Sequence, residues 1–174
     1  MKINAVLSQE EINMEIEIRE GYDYREEILN LFTEYTTMLF SKQENFAEYL
    51  KIQNYEEEIK DLRKKYGHPY GRLYIVFCDE KPAGCIALRK LDDEKCEMKR
   101  LFVKPEYRGK HLGNMLIEKI ISDAKEIGYK YMYLDSLPFL KSAVHCYKQF
   151  GFYDIPRYNE SPDDDAVFMR LDLK

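Results

Sequence analysis

From residue 14 the chain reads Met14-Glu15-Ile16-Glu17-Ile18-Arg19, an apolar-polar alternation that predicts a half-buried strand. The period then changes. Ile28, Leu31, Phe32, Tyr35, Met38 and Leu39 recur at helical spacing and predict an amphipathic helix over residues 24–40. Phe46, Tyr49, Leu50, Ile59 and Leu62 predict a second helix, with Glu56, Glu57, Glu58 and Asp61 on its solvated face. Residues 1–13 show no clear period and read as a loose lead to a single unit over 14–174.

After the turn signal Gly67-His68-Pro69-Tyr70-Gly71 the texture becomes that of strands. Leu73–Cys78 is an unbroken apolar run, Ala83–Leu91 follows a short polar loop, and Cys96–Val103 follows the polar turn 92–95, so three strands form an antiparallel meander. Leu112, Leu116, Ile120, Ile121, Ala124 and Ile127 mark a helix that Gly128 ends. A strand at Tyr131–Asp135, a helix through Ala143, Val144, Tyr147 and Phe150 that stops at Gly151, and a strand at Ala166–Leu173 complete the order. A short extra strand near Phe152–Ile155 would pair with the last. The order β-α-α-β-β-β-α-β-α-β predicts an α/β fold with a mixed, largely antiparallel sheet of six or seven strands flanked by about four helices. The crossover after Val103 makes the Tyr131 strand parallel to the one before it. There is no internal repeat and no linker.

Composition narrows the function classes. With 27 Lys+Arg against 32 Asp+Glu the 174-residue chain is acidic overall, which disfavours a polyanion such as nucleic acid as main partner. The longest apolar run has six residues, far short of the roughly 20 of a spanning helix, and Ile3–Leu7 is too short and too broken for a secretory signal. A cytoplasmic protein without membrane contact is the expectation. Four cysteines (78, 85, 96, 146) and three histidines (68, 111, 145) lack zinc-site spacing, so reduced thiols and no metal are expected. Charge is nevertheless concentrated: Met98–His111 holds five basic residues against Glu106 alone.

Three of the five, Lys104, Arg108 and Lys110, lie in Leu101-Phe102-Val103-Lys104-Pro105-Glu106-Tyr107-Arg108-Gly109-Lys110-His111-Leu112-Gly113-Asn114, a strand, a glycine-containing turn and a helix start. The first N–H groups of a helix lack internal partners and sit at the positive end of its dipole, so they suit a phosphate or pyrophosphate. Gly109 and Gly113 allow close backbone approach, and Arg108 and Lys110 add charge. Neither the spacing of a nucleotide P-loop nor that of a dinucleotide fingerprint is present.

Arg108-Gly109-Lys110-His111-Leu112-Gly113 resembles the Q/R-x-x-G-x-G/A acetyl-CoA loop of the GNAT superfamily of N-acetyltransferases. The preceding Lys99–Tyr107 is similar to that family's fourth strand and its exit, and Ala143–Phe152 to its A-x-x-x-Y-x-x-x-G-F helix. The pattern departs in two places: His111 stands where glycine is usual, and Leu140 where an asparagine is common. The resemblance implies direct transfer of acetyl from acetyl-CoA to a primary amine in a ternary complex, and it admits a homodimer. It implies cofactor contacts from Leu101, Phe102, Val103, Arg108, Gly109, Lys110, His111, Leu112, Gly113, Asn114, Ala143 and Tyr147. Leu101 and Val103 would use backbone groups on the pantetheine arm, and Tyr147 would protonate the departing thiolate.

Glu97, eleven residues before Arg108, matches a catalytic base in some members, and strand periodicity puts it on the face of Leu101 and Val103 unless a bulge intervenes. A structural ion pair with Lys99 or Arg100 explains it equally well. Asp135 and Ser136, at the end of their strand, could bond substrate, with capping of the next helix the expected duty. The acceptor site would come from the two N-terminal helices and the loop 157–165, where Asp163–Asp165 point to a cationic amine. A non-catalytic acyl-CoA-binding module on the same fold would keep the basic loop without needing Glu97 or Tyr147.

Overall fold

The computed structural model describes residues 14–42, 46–52, 54–161 and 163–174, so the lead expected over 1–13 lies outside the described residues. The elements are β1 (Ile16–Glu20), α1 (Arg25–Phe40), α2 (Phe46–Ile52), α3 (Tyr55–Lys60), α4 (Leu62–Tyr66), β2 (Arg72–Cys78), β3 (Lys81–Lys90), β4 (Lys95–Val103), α5 (Leu112–Ile127), β5 (Tyr131–Ser136), α6 (Lys141–Gln149), β6 (Tyr153–Asp154) and β7 (Val167–Asp172). They form one seven-stranded sheet in the order β1-β2-β3-β4-β5-β7-β6. The meander is antiparallel, β5 runs parallel to β4, and the short β6 pairs with β7.

Both faces of the sheet are covered, which explains why Leu73–Cys78 is apolar throughout instead of alternating. On one face α5 buries Leu112, Leu116, Ile117, Ile120 and Ala124 against Val76, Ile86, Leu88, Met98 and Met132. On the other, Ile28, Leu31 and Phe32 of α1 pack with Leu62 and Tyr66 of α4 on Leu73, Ile75 and Phe102. Gly128 closes α5 at φ +100°, its N–H bonding back to Ala124 and Lys125.

The helix predicted from Phe46 to Leu62 is three short ones. Asn54 turns left-handed at φ 54°, and Asp61 is extended and accepts from the Lys64 N–H at 3.1 Å, capping α4. The side chains of Phe46 and Tyr49 lie outside the described set. This break turns Glu58 inward. Expected on a solvated face, it is 2% exposed and bonded by Arg100, Lys65 and Tyr66. The apolar spacing held across the segment, but its helical phase did not.

Candidate active site

β4 and β5 pair only at Lys95–Tyr131, Cys96–Met132 and Glu97–Tyr133, yet β4 continues to Val103 and β5 to Ser136. Beyond Glu97 the two strands part, and a fork opens in the middle of the sheet. A bulge in β4 shapes it: the β3 register slips between Cys85 and Ala87, and Arg100 adopts φ 59°. Past the bulge the Lys104 N–H bonds to Ala83 on the β3 side. Alternation therefore turns the main-chain groups of Leu101 and Val103 toward the fork. The Val103 carbonyl accepts there from Arg108 Nε at 3.4 Å.

The fork feeds a cleft of about 570 Å³ that runs to the start of α5. All the cofactor-binding candidates line it except Lys110: Leu101, Phe102 and Val103 from β4, Arg108 to Asn114 from the turn and helix start, Ala143 and Tyr147 from α6. His111 answers the missing glycine, because it holds φ 61° in the left-handed region, which histidine tolerates better than most residues. A Cβ placed on Gly109 or Gly113 would meet nothing within 4 Å. The open space over Gly113, beside unpartnered helix N–H groups, fits a pyrophosphate. Leu140, in the usual asparagine position, is the N-cap residue of α6 and lines the cleft with an apolar side chain. Cys146 also lines it, donating its thiol to Asn114 Oδ1 at 3.2 Å, and burial pushes that thiol up, away from thiolate character.

At its inner end the cleft meets a chamber of about 30 Å³ in the fork, the two sharing Tyr35, Leu101, Leu140 and Tyr147. Tyr147 is 7% exposed, and burial drives its phenol well above the ordinary value, so it stays a protonated donor. Tyr35, on α1, faces the same point; burial raises it to about 12.

Two expectations are corrected. The bulge puts Glu97 on the opposite face from Leu101 and Val103. Its side chain is fully buried, one oxygen held by Arg89 and the other by the Tyr158 hydroxyl at 2.6 Å, and it does not line the cleft. The basic island is likewise not one anion site. Lys99 and Arg100 are buried against Asp135 and Glu58, Lys104 pairs with Glu34 at 3.2 Å, Lys110 does not line the cleft, and of the five basic residues Arg108 alone does. Sequence spacing could not separate these roles, because it does not show the bulge.

Asp135 also departs from expectation. It does not cap α6, whose N-cap makes no side-chain bond, and it lines the chamber with Lys99 and Ser136. In the loop 157–165, Asp164 pairs with Arg157 at 3.1 Å and Asp163 caps the Asp165 N–H at 2.9 Å, so these carboxylates serve the loop's own turn.

A fork that opens between parallel strands, fed by a helix start and closed by a buried tyrosine, is the arrangement that the resemblance to the acetyltransferases implies. Residues 25–152 match the model of the acetyltransferase (GNAT) family, and the chain belongs to that family. It is similar to an uncharacterised N-acetyltransferase of Dictyostelium discoideum, 33% identical, with 92% of this chain and 100% of that protein covered. Among solved structures, a GNAT-family acetyltransferase of Staphylococcus aureus Mu50 has a TM-score of 0.74 at 24% identity, covering 92% of this chain and 100% of that one. The PaiA N-acetyltransferase of Thermoplasma acidophilum, solved in complex with coenzyme A, has a TM-score of 0.68 at 20% identity, covering 91% and 99%.

Proposed function

We propose that the protein transfers acetyl from acetyl-CoA directly to a primary amine, with both substrates bound together. The observation that carries this reading is the continuity of the cleft, from the α5 N-terminus along Leu101 and Val103 to the Tyr147 hydroxyl. The N–H groups from Leu112 to Asn114, with Arg108, suit the pyrophosphate. The backbone of Leu101 and Val103 suits the pantetheine amides and the thioester carbonyl, whose oxygen gains charge as the amine attacks. Tyr147 then donates its proton to sulfur as the C–S bond breaks. The Thermoplasma neighbour's bound coenzyme A supports the choice of donor. Glu97 enters this reading as the anchor that holds Tyr158 and its loop to β4, not as the base.

The test is thiol release from acetyl-CoA across a panel of amines, amino acids, polyamines and peptide N-termini, alongside thermal stabilisation by acetyl-CoA. Turnover with at least one amine is the expected result. Stabilisation by acetyl-CoA with no turnover anywhere would instead favour a non-catalytic binding module.

A further inference from the structure

Glu97 and Tyr133 are the last residues paired across β4 and β5. One two-residue step along each strand, on the same face, stand Lys99 and Asp135. Their side chains meet across the opening at 3.4 Å, with 6% and 2% of each exposed. Withdrawing two charges from water costs several kcal/mol per ion, and an apolar pair closes a purely structural vertex at least as well. The contact is also longer than the 2.7–2.9 Å usual for a charge-assisted bond, and longer than the 2.7 Å of Arg100 Nε to Glu58. An incoming ammonium can replace it. The place is right for one: both residues line the chamber with Tyr147, and its free volume of about 30 Å³ is enough to hold a group the size of one water.

Resting on the acetyl-transfer reading, we propose that Asp135 is the catalytic proton acceptor for the amine and that Lys99 is its positioning counter-charge. The acceptor arrives as R–NH3+ and passes one proton to an oxygen of Asp135, which frees the nitrogen lone pair. That pair forms the N–C bond at the thioester carbonyl and the C–S bond breaks. Sulfur takes the Tyr147 proton, Tyr147 recovers one from the new amide nitrogen, and Asp135 releases its own to water. The balance is ammonium plus thioester to amide, thiol and one proton.

Lys99 acts before the proton transfer, because an opposite charge beside Asp135 favours its ionised form and so keeps it ready to accept a proton when the amine arrives. The other groups around Asp135 do not compete for that proton. Arg100 of β4 is neutralised by Glu58 of α3, and Glu97 is held by Arg89. Tyr35 of α1 and Tyr147 of α6 are kept protonated by burial.

The experiment is the pH profile of kcat/KM for wild type, Asp135→Asn, Asp135→Glu and Lys99→Met, using an amine that the wild type acetylates. Asp135→Asn should lose on the order of 10²-fold at pH 7. Its residual rate should then climb with pH toward the pKa of the amine, since only pre-neutralised acceptor reacts. Stabilisation by acetyl-CoA should be unchanged, and Asp135→Glu should recover part of the rate. Lys99→Met should move the acidic limb to higher pH, which decides the matter even if Asp135→Asn fails to fold. A wild-type profile in Asp135→Asn, or an unmoved limb in Lys99→Met, overturns the inference and leaves acetyl transfer standing. A wild type that acetylates no amine removes both.

Discussion

Arg100 grips both carboxylate oxygens of Glu58, Nε at 2.7 Å and the terminal nitrogen at 2.9 Å, with the two side chains 3% and 0% exposed. The bond ties a short helix of the N-terminal region to the bulge that opens the sheet. Because Arg100 is the left-handed residue of that bulge, the pair fixes the strand distortion and the helix position together.

Glu58→Gln should therefore cost about 3–5 kcal/mol, since Arg100 and Lys65 are left buried without their anion. Urea denaturation at pH 7 measures it. The pH dependence has a definite sign. Burial pushes the Glu58 carboxyl up, but Arg100 and Lys65 outweigh this and hold it at about 2. A depressed carboxylate contributes stability above its unfolded value, 4.5, and loses it as pH falls through about 2. Wild type should weaken over that window, and Glu58→Gln should show a shallower slope.

Gly113→Asp should separate folding from binding. A Cβ there meets nothing within 4 Å, and a carboxylate in the first helical turn is favourable by about 0.3–1 kcal/mol. Thermal stability should hold or rise. Affinity for acetyl-CoA should fall at least tenfold, because the new charge faces the pyrophosphate; calorimetric titration reads both partners directly.

His111→Gly should stabilise the protein by up to about 1 kcal/mol. The left-handed backbone at φ 61° costs a non-glycine residue about 1–2 kcal/mol, partly offset by the greater unfolded-state freedom of glycine. The melting temperature should rise with acetyl-CoA binding retained.

Glu97→Gln should act on stability. Its two bonds, to Arg89 and Tyr158, weaken together, for a loss of about 1–3 kcal/mol by denaturant titration. Turnover per folded molecule should fall far less than in Asp135→Asn. An equal loss of kcat in Glu97→Gln would return the base to Glu97.

Tyr147→Phe should lower kcat by about 10²-fold while leaving the acetyl-CoA dissociation constant within a factor of about three, as expected for a proton donor to the leaving group. Single-turnover thiol release distinguishes this from slow product departure. Wild-type turnover in Tyr147→Phe would remove the role.

Much of the architecture was legible before any coordinates. The alternation at Met14–Arg19, the stripe from Ile28 to Leu39 and the Gly128 stop are local signals, and each element appears where its period predicts. The strand, glycine turn and helix start over 101–114 were legible too, since their signals are local. Side-chain roles on β4 were not. Lys99 and Arg100 read as part of a basic island or as partners for Glu97, and Glu97 as a base on the cofactor face or an ion-pair member, yet the structure pairs all three elsewhere around one bulge.

The sequence by itself determined the order of strands, the parallel crossover and the helix start that suits an anion, because these depend on residue period and on neighbours in the chain. Only the tertiary structure decided which charges face one another. The partners Glu58–Arg100, Lys99–Asp135 and Arg89–Glu97 are 42, 36 and 8 residues apart. Their pairing follows from where Asn54 breaks a helix and where β4 slips its register. The helix break and the one-residue slip in β4 leave apolar spacing almost unchanged but redirect Glu58 and the charged residues of β4.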